Sequence, residues 1–296
     1  MWQHLLQEVI QENVKALSRC ISLIENEVPG YEELLLQLPV NNTVKIIGIT
    51  GAPGAGKSTL TDALIGLLIN DEKKIGVLCV DPSSPFNMGA LLGDRIRMSE
   101  WYTNPNVFIR SLATRGSLGG LHPKIIEITD LMKSAGFDHI IVETVGVGQS
   151  EIEIAGLADV TIVIMVPESG DEVQTMKAGI MEIADIFVIN KSDRPGADLL
   201  EKSLLTMLAP VFSNNTNEIS ILKTIAIERK GIEKLKDKIL QHSSLVTSEK
   251  KYRLLAEKAF QLIQNKRMKD VDKKLLKEMI SLEKNFNLYK FLQEHF

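Results

Sequence analysis

Cysteine is nearly missing. Cys20 and Cys79 are the only two in 296 residues and form no CxxC pair. A disulfide framework is therefore excluded, and both read as small buried hydrophobes in a reducing compartment. The five histidines are scattered, and without a Cys/His cluster the sequence offers no seat for a transition metal. Excess positive charge is lacking too: 34 Lys and Arg stand against 38 Asp and Glu, a net −4. That gives no reason for bulk binding to nucleic acid or to an anionic membrane. No apolar run exceeds a strand's length, and the longest, around Val160–Val166, is far short of a membrane span. Glu8 and Glu12 precede any Arg, unlike a secretory signal or a transit peptide, so a cytoplasmic protein is expected.

What is present is organised around one stretch. Gly51, Ala52, Pro53, Gly54, Ala55, Gly56, Lys57, Ser58 and Thr59 fit G-x-x-x-x-G-K-[ST], the loop that cradles the phosphates of nucleoside triphosphates. Upstream, Val44 to Thr50 is a β-branched run of the kind that makes a buried parallel strand. Downstream, Leu60 to Leu68 sets apolar residues at helical spacing. Strand, glycine-rich turn and helix are what the chemistry requires. Successive backbone N–H groups wrap the phosphates, and the helix N-terminus adds partial positive charge. Lys57 would reach the β- and γ-phosphates, and Ser58 would offer its hydroxyl to Mg²⁺.

Around this stretch the chain has three parts, 1–42, 43–242 and 243–296. The first reads as helix, with Ile10, Val14, Leu17, Ile21 and Ile24 on one apolar stripe. Pro29 and Gly30 break it, and a short second piece runs from Tyr31 to Leu38. Packing of this acidic segment on the main domain is favoured over a partner-binding arm. The second part alternates strands and helices. Candidate strands after the first are 75–81, 107–112, 139–143, 160–166, 186–190 and 221–227, with helices at about 88–101 and 122–135. That alternation predicts an α/β fold with a doubly wound, mostly parallel sheet. The third part turns basic, with twelve Lys and Arg against seven Asp and Glu, and has no Gly or Pro from 247 onward. Two helices are expected. Val271, Leu275, Met279, Leu282, Phe286 and Tyr289 form a stripe on the second, compatible with packing on the core or with a dimerisation arm.

Chemistry also gathers at later strand ends. Asn190-Lys191-Ser192-Asp193 is an N-K-x-D motif closing an apolar run. The Asp193 carboxylate can accept from guanine N1–H and its exocyclic amine, donors that adenine lacks in that arrangement, which favours GTP over ATP. Asn190 and Lys191 would tie this loop to the phosphate loop, and the backbone of Ala226 offers a further base contact. Glu143, at the end of the run His139–Val142, is placed to hold Mg²⁺ through water. Gly146 leaves an N–H for a γ-phosphate, so its loop would order with GTP and relax with GDP. Asp81 and Asp94 are further acidic candidates, at least one of which should serve Mg²⁺. Gln149 is a candidate for positioning water, with a helix-entry role equally open.

Together, GAPGAGKST, VDPSSP, GALLGDRIRM, TRGSLGGL, ETVGVGQSE and NKSD resemble the MeaB/ArgK family of P-loop GTPases, formerly called LAO/AO transport ATPases. The resemblance is dense over roughly residues 40–240. It implies a GTPase domain with N-terminal helices and a C-terminal dimerisation arm, hence a homodimer. It also implies a GTPase that chaperones an adenosylcobalamin-dependent acyl-CoA mutase of the methylmalonyl-CoA mutase type. By the same resemblance, Lys57, Asp81, Asp94, Glu143 and Lys177 form the catalytic set. Ser58 and Asp94 meet Mg²⁺ closely, with Asp81 and Glu143 acting through water. Pro167 to Lys177 resembles the switch loop facing the mutase. Two departures stand out. Thr224-Ile225-Ala226 replaces the family's Ser-Ala, and the stretch from Phe286 to Phe291 replaces its Asp-Pro-Tyr segment. An ATP-using kinase or transport ATPase and a metallochaperone-type GTPase are the rival readings, opposed respectively by Asp193 and by the scattered histidines.

Overall fold

Seven short runs rich in Ile and Val form the strands β1 (Lys45–Gly51), β2 (Ile75–Asp81), β3 (Val107–Ala113), β4 (His139–Glu143), β5 (Val160–Met165), β6 (Ile186–Ile189) and β7 (Ser220–Lys223). In this computed structural model they pair in the order β3-β2-β4-β1-β5-β6-β7. Every pairing is parallel, so the sheet is wholly rather than mostly parallel among the described residues. Those residues are 2–295 apart from 82–97, 116–119, 147–149, 170–183, 213–218, 243–247, 269 and 284–285. The helices are α1 (Trp2–Ile10), α2 (Val14–Glu25), α3 (Tyr31–Leu36), α4 (Lys57–Asn70), α5 (Ile125–Lys133), α6 (Ser150–Leu157), α7 (Ala197–Phe212), α8 (Ile232–Gln241), α9 (Ser248–Arg267), α10 (Lys273–Leu282) and α11 (Leu288–His295).

Alternation along the strands feeds two apolar layers, because successive side chains point to opposite faces. Ile46, Leu78, Val80, Ile140 and Val142 pack against α1 to α3, α5 and α6. Ile47, Ile49, Val77, Ile141 and Ile162 pack against α4 and α8. A third cluster joins Val163, Met165, Phe187 and Ile189 to α7. Burial on both faces is why these strands read as near-continuous apolar runs. The order reverses about β1, with strands 2 to 4 on one side and 5 to 7 on the other. In a parallel sheet that reversal opens a crevice at the carboxyl ends of the strands, where ligands bind.

The N-terminal segment departs from the single stripe expected of it. Asn13 caps α2, its Oδ1 accepting from the N–H groups of Lys15 and Ala16 at 3.0 and 3.2 Å, and Glu12 takes a left-handed φ of 64°. The chain folds back there, so Ile10 and Val14 are exposed whereas Leu17, Ile21 and Ile24 are buried with Leu5, Leu6 and Val9. Each fully buried Leu or Ile contributes about 2 kcal/mol, and these helices share one core with the sheet. Polar clamps reinforce the seat. Arg110 pairs with Glu25, Arg115 donates to the Glu25 carbonyl at 2.6 Å, and Lys124 meets Tyr31 and Glu27, both at 3.0 Å.

The chain divides into two compact units, Met1–Val246 and Thr247–Phe296. Among the described residues the second holds three helices rather than the expected two. Asn287 caps α11, accepting from Tyr289 and Lys290, and this separates Phe286 and Tyr289 from the α10 stripe. Leu275, Leu282, Phe286 and Tyr289 are exposed. The last strand is also shorter than predicted. It stops at Lys223, and Ala226–Glu228 forms a 3-10 turn. Of the helix expected at about 88–101, only residues 98–101 are described, with Ser99–Trp101 a 3-10 turn.

Candidate functional site

The phosphate loop starts at the end of β1 and runs directly into α4. Gly56, just before Lys57, takes a φ of 92°, a conformation most side chains resist. A Cβ there would collide with Asn190 Nδ2. Lys57 Nζ donates to the carbonyls of Gly51 at 2.9 Å and Ala52 at 3.2 Å. Lys57 and Ser58 are both buried. Gly146, with φ 82°, lies so close that a Cβ would strike Lys57 Nζ and the Gly51 carbonyl. The structure thus brings Gly146 to the lysine of the loop. Gln149, one position before α6, lies outside the described residues.

Glu143 ends β4, in register with Ile49 of β1. Its carboxylate accepts from Ser58 Oγ at 2.7 Å and from Thr61 Oγ1 at 2.9 Å, one hydroxyl on each oxygen. Asp81 ends β2, buried. A cavity of about 440 Å³ joins these ends. Its lining includes Pro53, Gly54, Gly56, Lys57, Ser58, Thr59, Asp81, Glu143, Thr144 and Lys191. That volume falls within the range of small-ligand sites. Asp94 and Lys177 lie outside the described residues, as do the segment 82–97 that carries Asp94 and residues 170–177 of the predicted switch loop. Pro167–Ser169 forms a 3-10 turn, and Glu168 pairs with Arg194 beside the N-K-x-D motif.

The donor set suits Mg²⁺. The serine hydroxyl and two carboxylates that line this cavity are hard oxygen ligands, and Mg²⁺ is commonly held by one or two carboxylates with substrate phosphates and water. No group of three His, Cys, Asp or Glu side chains that could enclose a metal occurs among the described residues. That count is compatible with a cation held jointly by protein and phosphate.

The N-K-x-D loop follows β6 and locks to the phosphate loop. Asn190 Nδ2 donates to the Ala55 carbonyl at 2.9 Å, and Lys191 Nζ donates to that of Gly54 at 2.8 Å. Asn190 Oδ1 accepts from Thr224 Oγ1 and from the Ala226 N–H, both at 3.1 Å. The Ala226 donor expected for the base is therefore engaged with Asn190 here. Lys191 holds a left-handed φ of 56°, which a non-glycine residue adopts at a cost that surrounding structure must offset. The Gly54 bond, with Ser192 N–H donating to the Thr224 carbonyl at 3.1 Å, holds it. Asp193 is exposed at the following turn.

Four threonines in this site make contacts that escaped the sequence reading. Thr61 sits one helical turn after Ser58, a spacing that places both on one face of α4. Thr224 joins the Asn190 network. Thr50 and Thr144 share a buried hydroxyl pair at 2.9 Å, between the strand ends that carry Gly51 and Glu143.

Comparison with known proteins agrees with this geometry. The family model described as methylmalonyl Co-A mutase-associated GTPase MeaB matches residues 17–280. A putative GTPase of Pyrococcus abyssi is 45% identical over 247 residues, covering 82% of this chain and 76% of that protein. The GTPase ArgK of Escherichia coli is 36% identical over 243 residues, covering 78% and 73% respectively. A crystal structure of a LAO/AO transport system kinase superposes with a TM-score of 0.69 at 26% identity, covering 95% of this chain and 90% of that one.

Proposed function

This chain belongs to the MeaB family of methylmalonyl-CoA mutase-associated GTPases, and from that premise we propose that its GTP hydrolysis is Mg²⁺-dependent and serves an adenosylcobalamin-dependent acyl-CoA mutase as a chaperone. The observation that carries the nucleotide part is the double lock between the two loops. Asn190 bonds to Ala55 and Lys191 to Gly54, which joins a base-reading motif to the phosphate loop. Asp193 would then read guanine, whose paired donors it accepts, and would reject adenine by leaving its own carboxylate unpaired. Competition of labelled GTP by ATP tests this, and effective displacement by ATP would favour the kinase or transport-ATPase reading.

Hydrolysis of this kind depends on positioning and charge neutralisation rather than on covalent chemistry. Lys57 and the N–H groups of the phosphate loop, those of Gly54 to Thr59 after Pro53, bind the phosphates. Ser58, Asp81 and Glu143 would hold Mg²⁺ with Asp94, and the ion when bound neutralises charge on the phosphate oxygens. Gly146 would sense a γ-phosphate through its N–H. We assign the partner surface to the loops around Asp81–Arg97 and Pro167–Lys177, and homodimerisation to Thr247–Phe296 with its exposed apolar residues. No helix among the described residues is long and apolar enough to cross a membrane, and our reading places the protein in the cytoplasm. The metallochaperone alternative lacks a supporting ligand cluster among the described residues.

The chaperone role predicts that the chain loaded with GDP and with a non-hydrolysable GTP analogue binds the mutase with different affinities in a calorimetric titration. Equal affinities would overturn the switching role.

A further inference from the structure

Ser58 and Thr61 lie three residues apart on α4, and each meets one oxygen of the Glu143 carboxylate, at 2.7 and 2.9 Å. We propose that Thr61 is a positioning residue for magnesium binding: it fixes Glu143, which in turn aims the Ser58 hydroxyl. The inference rests on the Mg²⁺-dependent reading above.

A hydroxyl has one proton and two lone pairs. With its proton committed to Glu143 Oε1, Ser58 presents only lone pairs elsewhere, as a cation requires. Thr61 Oγ1 also lies 3.0 Å from the Lys57 carbonyl, so its single proton must choose. A bond to an ionised acceptor is roughly twice as strong as a neutral one, and the carboxylate takes it. Solvent does not compete, because Ser58, Thr61 and Glu143 are 5%, 0% and 2% exposed. Free glutamate is among the side chains with the most rotamer freedom to lose. Holding the second oxygen removes that freedom before the cation arrives.

The same geometry gives a reason for glutamate at this strand end, where P-loop enzymes usually carry aspartate. Aspartate is shorter by one carbon–carbon bond, about 1.5 Å. From the same backbone position it would be too short to hold both hydroxyls.

The test is the Mg²⁺ dependence of the release rate of a fluorescent GDP analogue from the full chain. Wild type, Thr61→Val, Thr61→Ser, Glu143→Asp and the Glu143→Asp/Thr61→Val double variant are compared, each also with excess EDTA. Thr61→Val should need about tenfold more Mg²⁺ for half-maximal slowing of release, the effect of losing one bond to a charged group. Thr61→Ser should restore the wild-type value, and release in EDTA should be unchanged in both. On the Glu143→Asp background, Thr61→Val should add nothing. Thr61→Ala, which cannot overpack the site, carries the same expectation as Thr61→Val should the latter not fold. An unshifted Mg²⁺ requirement in Thr61→Val would overturn the inference while leaving the Mg²⁺-dependent reading intact. So would a change of equal size in EDTA, or a further tenfold shift in the double variant. Wild-type release that ignores Mg²⁺ would overturn the metal reading itself and this inference with it.

Discussion

Replacing Asn190 with alanine should loosen the nucleotide site before any nucleotide is present. The side chain is 2% exposed and makes three hydrogen bonds: to the Ala55 carbonyl, from Thr224 Oγ1 and from the Ala226 N–H. Each is worth about 1 kcal/mol net, so their joint loss is about 3 kcal/mol. That figure is a floor. The three partners belong to residues no more than 4% exposed, and a buried polar group left without its partner costs more than the bond returned. In a unit of this size 1 kcal/mol moves the melting temperature by about 2–4 °C, so Asn190→Ala should melt about 6–12 °C below wild type. Thr224→Val removes one bond of the three and calibrates the scale, with an expected fall of about 2–4 °C. The assay is thermal unfolding of the nucleotide-free chain followed by circular dichroism. A fall of less than about 2 °C in Asn190→Ala would mean that the lock contributes little to holding the loops together.

Two further outcomes follow from the same geometry. Asp193→Asn should weaken GTP and improve xanthosine triphosphate, because the carboxylate–donor pairing is reversed. Competition binding checks it, and no gain for xanthosine triphosphate would refute the base assignment. His122 is buried at the start of α5, where its Nδ1 accepts the Lys124 N–H at 3.0 Å. Burial, then the nearby charges of Arg115, Lys124 and Arg110, lower its pKa from 6.5 to about 4. Between those values the unfolded chain binds a proton that the folded chain refuses. This contribution to stability is full above pH 6.5 and is lost as pH falls through the window, by up to about 1.4 kcal/mol per pH unit. His122→Asn keeps an acceptor for the helix start and removes the titration. Its unfolding free energy, measured in urea from pH 7 to pH 4.5, should fall less steeply than that of wild type, and parallel slopes would refute the assignment.

The parts legible in the sequence were those written locally. Gly51 to Thr59 declares itself because strand, turn and helix are contiguous, and β1, β2, β4, β5 and β6 because burial on both faces leaves mainly apolar residues. Breaks inside an apolar pattern were harder to see. Ile10 and Val14 keep helical spacing across the turn at Glu12 and Asn13, so a stripe read at four-residue steps passes through a chain reversal unchanged. Asn287 hides a second break in the same manner. The run from Ile221 to Ile227 looked like one strand because its last residues are apolar. Yet Thr224 turns its hydroxyl to Asn190, and the ladder ends one residue earlier.

The site itself divides along the same line. Lys57, Ser58, Glu143 and Asn190 each sit in a recognisable local motif, whereas the bonds between motifs cross long stretches of chain. Asn190 reaches Ala55 over 135 residues, and Thr61 reaches Glu143 over 82. Nothing near Thr61 in sequence marks it, since a threonine in the first turns of an apolar helix has the same local appearance whether or not it has a distant partner. What gives it one is the sheet order, which sets β4 beside β1 and so brings the end of one strand to the face of the helix that follows the other. Topology therefore decides which threonine acts, and a Thr61 variant that shifts the Mg²⁺ requirement would reveal a functional contact that exists only because β4 and β1 are neighbours.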